Sequence, residues 1–175
     1  LFVLSFLILI SLRPLQSAEM ADPIKVDWSF KGLTGTFDRA SLQRGFQVYK
    51  EVCASCHSMQ YLSYRNLGEP GGPEFSEQEV KAIAASFEIE DGPDSQGEMF
   101  TRPGKPSDKF KSPYPNVQAA TAANGGAYPP DMSVLVKARK GGANYIYSVL
   151  VGYEDPPPGV TLDEGVYYNK YMAGN

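Results

Sequence analysis

Cys53-Ala54-Ser55-Cys56-His57 closes a stretch of helical pattern, and the reading of the whole chain turns on it. Asp38 can cap a helix running from about Arg39 to Val52. Leu42, Phe46, Tyr49 and Cys53 recur at helical spacing and give that helix an apolar face. Two thiols three positions apart at a helix end can both reach one edge of a planar ring. The next residue then turns its imidazole onto the ring centre. That spacing suits two thioether bonds to haem vinyl groups and an axial bond from Nε2 to iron, the pattern of c-type haem attachment. A thioredoxin-like dithiol is the first alternative, but it needs a strand and a βαβ context before the motif, and here a helix precedes it. A zinc site would draw on Cys53, Cys56 and His57 and lacks an evident fourth ligand. A disulfide between the two cysteines is the third alternative, open to an exported protein.

His57 is the only histidine among 175 residues, so a second axial ligand cannot be another histidine. Methionine is the natural partner, and its thioether raises the potential. The chain offers Met20, Met59, Met99, Met132 and Met172. Met59 lies two residues from His57 and cannot cross to the opposite face of a ring.

Composition narrows the rest. Two cysteines exclude a disulfide-dense scaffold, and with one histidine they exclude a four-ligand zinc finger of the usual kind. A formal charge of −4 gives no positive field to neutralise phosphates, so nucleic acid is not an expected partner. No apolar run is long enough to span a bilayer. The apolar stretch over residues 1–12 suits the core of a secretory signal, with small residues at Ser17 and Ala18. Residues 1–18 are therefore expected to be a partial export leader, with residues 19–175 forming the working domain outside the cytoplasm.

Beyond the motif, Ser76-Glu77-Gln78-Glu79 is a capping box, opening a helix with Val80, Ile83, Ala84 and Phe87 on one face. Residues 88–115 read as loop. Asn116 can cap a short helix that stops at Asn124-Gly125-Gly126. Asp131 can cap another over Met132 to Arg139, and a last helix spans Tyr145 to Val151. The expected class is mainly α, with long loops wrapped around something. Glu88, Glu90, Asp91, Asp94 and Glu98 form an acidic cluster with no Lys or Arg among residues 82–101, which could steer a basic partner.

The chain resembles the cytochrome c1 family, the haem subunits of cytochrome bc1 (ubiquinol–cytochrome c reductase) complexes, in its alphaproteobacterial form. The resemblance runs in unbroken order over about residues 26–171. It is carried by Leu42-Gln43-Arg44-Gly45-Phe46-Gln47-Val48-Tyr49, by Tyr61-Leu62-Ser63-Tyr64-Arg65 and by Gly97-Glu98-Met99-Phe100-Thr101-Arg102-Pro103-Gly104-Lys105. Ala123-Asn124-Gly125-Gly126-Ala127-Tyr128-Pro129-Pro130-Asp131 and Ala138-Arg139-Lys140-Gly141-Gly142 extend it. The resemblance implies a class I cytochrome c-like helical fold around one covalent haem c, with Cys53 and Cys56 as thioether links and His57 as the proximal iron ligand. Pro129 and Pro130 would lie on the histidine side of the ring, where a backbone carbonyl accepts the imidazole Nδ1–H. Arg139 would reach a haem propionate, with Arg102 as the second candidate, and Asn124 and Tyr145 would line the pocket.

The family also implies the role: an electron-transfer component of an oxidoreductase complex rather than a catalyst alone, with no catalytic residues of its own. It would pass one electron from the Rieske iron–sulfur subunit, beside cytochrome b, to a soluble cytochrome c at the periplasmic face of the bacterial inner membrane. In the family the axial methionine lies in an Ile-Ala-Met-Pro-like stretch beyond the segment matched by Tyr167-Tyr168-Asn169-Lys170-Tyr171, followed by a membrane anchor. The sixth ligand and the anchor are accordingly expected beyond residue 175, with the sequence truncated at both ends and the C-terminal part of the fold missing. A free-standing periplasmic monohaem cytochrome c and a haem-based ligand-binding or sensor domain are the alternatives. An Ile-Ala-Met-Pro-like stretch with an anchor downstream separates them from the complex subunit.

Overall fold

The computed structural model describes residues 20–172, so the expected leader over residues 1–18 lies outside the described residues. Those described fall into two compact units, residues 25–143 and residues 20–24 with 144–172. Most regular structure is helical, as the sequence pattern anticipates, and the long connections between helices are irregular.

In the larger unit, α1 spans Arg39–Glu51, and Asp38 caps it by accepting from the Ser41 amide at 2.7 Å. α2 spans Glu77–Ala85, opened by the Ser76/Glu79 capping box. Between them, a short 3-10 turn over Tyr64–Gly68 presents Tyr64 and Leu67 inward. The core gathers where these pieces meet: Tyr64, Leu67, Val80, Ala84 and Phe110 are buried, with Phe46 and Tyr49 of α1 and Phe87 packed against them. Tyr64 stacks on Phe87 and Phe110 at centroid separations of 5.2 and 5.0 Å, and Phe110 in turn meets Tyr49 and Phe46. Phe110 reaches this position because residues 62–65 pair with residues 106–110. Amide-to-carbonyl bonds join Phe110 to Leu62, Tyr64 to Asp108 and Arg65 to Pro106.

Two expectations change here. The segment read as loop over residues 88–115 contains an antiparallel hairpin, β1 Glu88–Asp91 paired with β2 Phe100–Pro103. Its register is held by a bond no local pattern shows. Arg102 on β2, which faces Ile89, pairs diagonally with Asp91 two residues further along β1, and also with Asp108 through Nη1 and Nη2 at 2.6 and 3.0 Å. The guanidinium holds the Asp108 carboxyl down at about 2. The acidic cluster is therefore not a single-signed surface: Asp91 is spent on Arg102, and Lys109 and Lys111 line the same cavity wall as Glu88 and Glu90. Second, the helix expected over residues 132–139 contracts to α4, Leu135–Ala138, with Val134 at its N-cap. Asp131 caps nothing, because its carboxylate is engaged elsewhere.

α3, Val117–Ala123, follows its Asn116 cap as expected, the side chain accepting from the Ala119 amide at 2.8 Å. In the smaller unit α5, Ala143–Val151, carries the fully buried Ser148, whose hydroxyl accepts from the Ile24 amide and donates to the Asn144 carbonyl. Asn169, also fully buried, donates to the Val149 carbonyl at 2.7 Å. Both of these buried polar side chains thus have a partner. No helix among the described residues is long and apolar enough to cross a membrane.

Two stability tests follow from this packing. A Cβ on Gly104 would sit 2.5 Å from the Ala84 carbonyl oxygen, a backbone atom that cannot step aside. Gly104→Ala should cost roughly 1–3 kcal/mol in a urea unfolding titration. For Asp108, a folded value near 2 against an ordinary 3.8 means its pairing is fully effective above about pH 4. That stability is lost as pH falls through about 2, and thermal unfolding of Asp108→Asn should show a flatter acid limb over this window than the parent protein.

Candidate haem-attachment site

The motif follows directly on α1. The Val52 amide donates to the Val48 carbonyl, and a 3-10 turn over Cys53–Ser55 continues the coil. The Cys56 and His57 amides then both donate to the Cys53 carbonyl, at 3.1 and 2.8 Å. This tight turn keeps both thiols and the imidazole at one helix end. Cys53, Cys56 and His57 are all half-buried, and both sulfurs are free thiols. The core reaches the motif through Tyr49, whose hydroxyl contacts the His57 carbonyl at 3.4 Å. Burial pushes the Tyr49 phenol up to about 12, so it stays a neutral donor.

Pro130 supplies the decisive contact. His57 Nδ1 lies 2.8 Å from the Pro130 carbonyl oxygen, across 73 positions of sequence. A carbonyl can only accept, so Nδ1 carries the proton, and in the neutral ring Nε2 keeps its lone pair for a ligand. The segments bearing the two residues are laced together. The Met132 amide donates to the Ser58 carbonyl at 2.8 Å, and the Tyr61 amide donates to the Ser133 hydroxyl at 3.1 Å. The Asp131 carboxylate accepts from the Ser58 hydroxyl at 2.7 Å, the Gln60 amide at 2.9 Å and the Ser133 amide at 2.9 Å. Burial raises this carboxyl, but the surrounding donors outweigh it and hold it below the ordinary carboxylate value.

The other sequence candidates are distributed as follows. Pro129 lines a cavity of about 850 Å³ together with Cys56 and Tyr128. The remaining walls of that cavity mix polar and apolar side chains and include neither Cys53 nor His57, so it touches the motif at one edge only. Asn124 ends α3, where its side-chain amide donates to the Ala120 carbonyl at 2.7 Å and to the Tyr114 hydroxyl at 3.2 Å. Arg139 sits exposed at the C-cap of α4 and forms no ion pair among the described residues. Tyr145 is half-buried on α5, in the other unit. Arg102, the second propionate candidate, is committed to Asp91 and Asp108 and is withdrawn from that role. Met59, excluded as an axial ligand by its proximity to His57, packs against the aromatic core.

The donor set fits a covalently held haem better than a bare ion. Among the described residues no cluster of three or more His, Cys, Asp and Glu is arranged to hold a metal ion, and Cys53, Cys56 and His57 are no exception. They are instead spread along one helix end, with one imidazole nitrogen already fixed. Val52, next to the first cysteine, and Val134 and Val136, four and six residues after Pro130, are exposed apolar side chains. Sequence reasoning missed Ser58, Gln60 and Ser133. The spacing Asp131-Met132-Ser133 was the available signal, since an Asp accepting from the amide two residues on makes a local turn rather than a helix cap.

Residues 28–175 match the family model described as the Cytochrome C1 family. A "Cytochrome c1-2, heme protein, mitochondrial" from Solanum tuberosum is 56% identical over 147 residues, covering 84% of this chain and 55% of that one. The "Cytochrome c1" of Rhodospirillum rubrum is 49% identical over 167 residues, 86% of this chain and 60% of that one. A "Cytochrome b-c1 complex catalytic subunit, mitochondrial" from Candida albicans is 52% identical over 153 residues, 87% of this chain and 52% of that one. The chain spans about half the length of the curated relatives it matches.

Proposed function

The chain belongs to the cytochrome c1 family, and from that premise we propose that it is the haem-bearing electron-transfer subunit of a ubiquinol–cytochrome c reductase. The observation that carries the reading is the bond from His57 Nδ1 to the Pro130 carbonyl, which prepares the only histidine of the chain to offer Nε2 to iron. When bound, the haem supplies reversible one-electron chemistry at its iron.

The chain's own residues supply the rest. Cys53 and Cys56 would form the thioether links, and the turn that ends α1 sets their separation. His57 would be the proximal ligand, its ring angle set by Pro130, with Pro129 beside it. Arg139, exposed and without an ion pair among the described residues, would offer its guanidinium to a propionate. Asn124 would line the pocket, and Tyr145 remains a haem-contact candidate from the family resemblance. The partners are cytochrome b and the Rieske iron–sulfur subunit on the donor side and a soluble cytochrome c as acceptor. The working location is the periplasmic face of the bacterial inner membrane, with residues 1–18 as export leader and residues 19–175 as the haem domain. Anchorage and the sixth iron ligand are assigned to sequence downstream of residue 175. The names of the relatives, which include heme proteins and a cytochrome b-c1 complex subunit, support this reading.

Intact mass of the protein matured in an exporting bacterial host should show one haem added. Cys53→Ala should leave a haem held by one thioether and so vulnerable to loss, and the double Cys53→Ala, Cys56→Ala variant should carry none covalently. A parent protein with no added mass would overturn the reading. In the loaded protein, Arg139→Gln should lower the midpoint potential in a redox titration, because a positive charge beside the propionates favours the reduced state. Since Arg139 is exposed, the shift should be equivalent to no more than about 1 kcal/mol.

A further inference from the structure

We propose that Asp131 is a positioning residue for the axial histidine: its carboxylate locks the Pro130 carbonyl against His57 Nδ1 and thereby sets the strength of that bond. The inference rests on the haem reading above, and it concerns a residue that touches neither His57 nor any ligand of the iron. Sequence pattern assigns Asp131 to a helix cap. The structure takes that role away, because α4 begins four residues later with Val134 at its N-cap.

What Asp131 does instead is bridge distant chain. One carboxylate oxygen accepts both the Ser58 hydroxyl and the Gln60 amide, 73 and 71 positions away, and the other accepts the Ser133 amide. Ser58 immediately follows His57, and Pro130 immediately precedes Asp131. The carboxylate therefore ties together the neighbours of both partners in the Nδ1–carbonyl bond. The Met132 to Ser58 and Tyr61 to Ser133 bonds close the same seam further along. Ser58 is itself buried, so its hydroxyl depends on this partner. A proline cannot donate an amide hydrogen to anchor its own carbonyl. The peptide group that carries this carbonyl is shared with Asp131, whose carboxylate is tied to Ser58 and Gln60 just after His57. A metal-bound histidine whose Nδ1–H is firmly accepted is a more electron-rich ligand, which favours the oxidised metal. Loosening the seam should therefore raise the potential.

The test uses the full-length, haem-loaded protein with nitrogen-labelled histidine; His57 is the only histidine of residues 1–175, and its ring signal is told from that of any histidine elsewhere by its paramagnetic shift in the oxidised protein. In Asp131→Ala, hydrogen exchange at His57 Nδ1–H should quicken by about tenfold or more as the seam opens locally. The midpoint potential should rise. Asp131→Asn removes the charge but keeps a carbonyl acceptor for the Ser58 and Gln60 donors, so it should retain most of the protection and shift the potential less. Equal exchange in Asp131→Ala and the parent would overturn the proposal. Equal potentials in the Ala and Asn variants would also overturn it, since charge alone would then account for the effect. If Asp131→Ala does not accumulate, Ser58→Ala and Ser133→Ala each remove a bond from the same seam. Faster exchange in both supports the proposal, and parental exchange in both overturns it. A parent protein that carries no haem overturns the functional reading itself and takes this inference with it. A haem-loaded parent with unchanged variants overturns the inference alone.

Discussion

One hydrogen bond organises the site: His57 Nδ1 to the Pro130 carbonyl, 2.8 Å long and spanning 73 residues. The turn after α1 places an imidazole at the helix end, but a turn alone leaves the ring free to rotate about its side-chain torsions. Only a second, distant segment can choose the ring's angle and its tautomer together. The carbonyl does both, because it accepts and never donates. Everything that keeps residues 130–133 against residues 57–61 therefore bears on how Nε2 is presented.

The scaffold beneath is built to resist movement at that point. α1 is anchored through Phe46 and Tyr49 to an aromatic stack centred on Tyr64 and Phe110, and Tyr49 reaches the backbone of His57 itself. The strand-like pairing of residues 62–65 with 106–110 brings Phe110 under the helix. Arg102 pins the same stretch by holding Asp108 and Asp91 at once. An ion pair of this kind contributes little where solvent screens it. With the side chains of Arg102 and Asp108 only 18% and 16% exposed, its bidentate geometry is better placed to fix the hairpin's position. The chain from packed core to motif to ring is continuous, and a rigid ring support of this kind suits the proposed electron-transfer role.

Local signals were legible and distant ones were not. Asp38, Ser76 and Asn116 were readable as caps because cap and amide lie three residues apart and the geometry is written in the sequence between them. The motif at residues 53–57 was readable for the same reason. Asp131 has the same local appearance as those caps, yet its main partners are 71 and 73 residues away, and a local rule assigned it wrongly. The hairpin over residues 88–103 escaped because its strands are four residues each, mostly exposed and without apolar alternation. Its register depends on Arg102, whose partners no spacing rule supplies. Pro129 and Pro130 were reached only through family resemblance. Nothing in their spacing from His57 indicates that one of them accepts from its ring.

Every role proposed for these residues requires a haem bound covalently at the pentapeptide of residues 53–57. Acid–acetone extraction of the purified, exported protein tests it most directly. The colour should stay with the precipitated protein, and its reduced pyridine spectrum should be that of a haem with two thioether bonds. Colour that passes wholly into the solvent, or a protein that carries none, would contradict it.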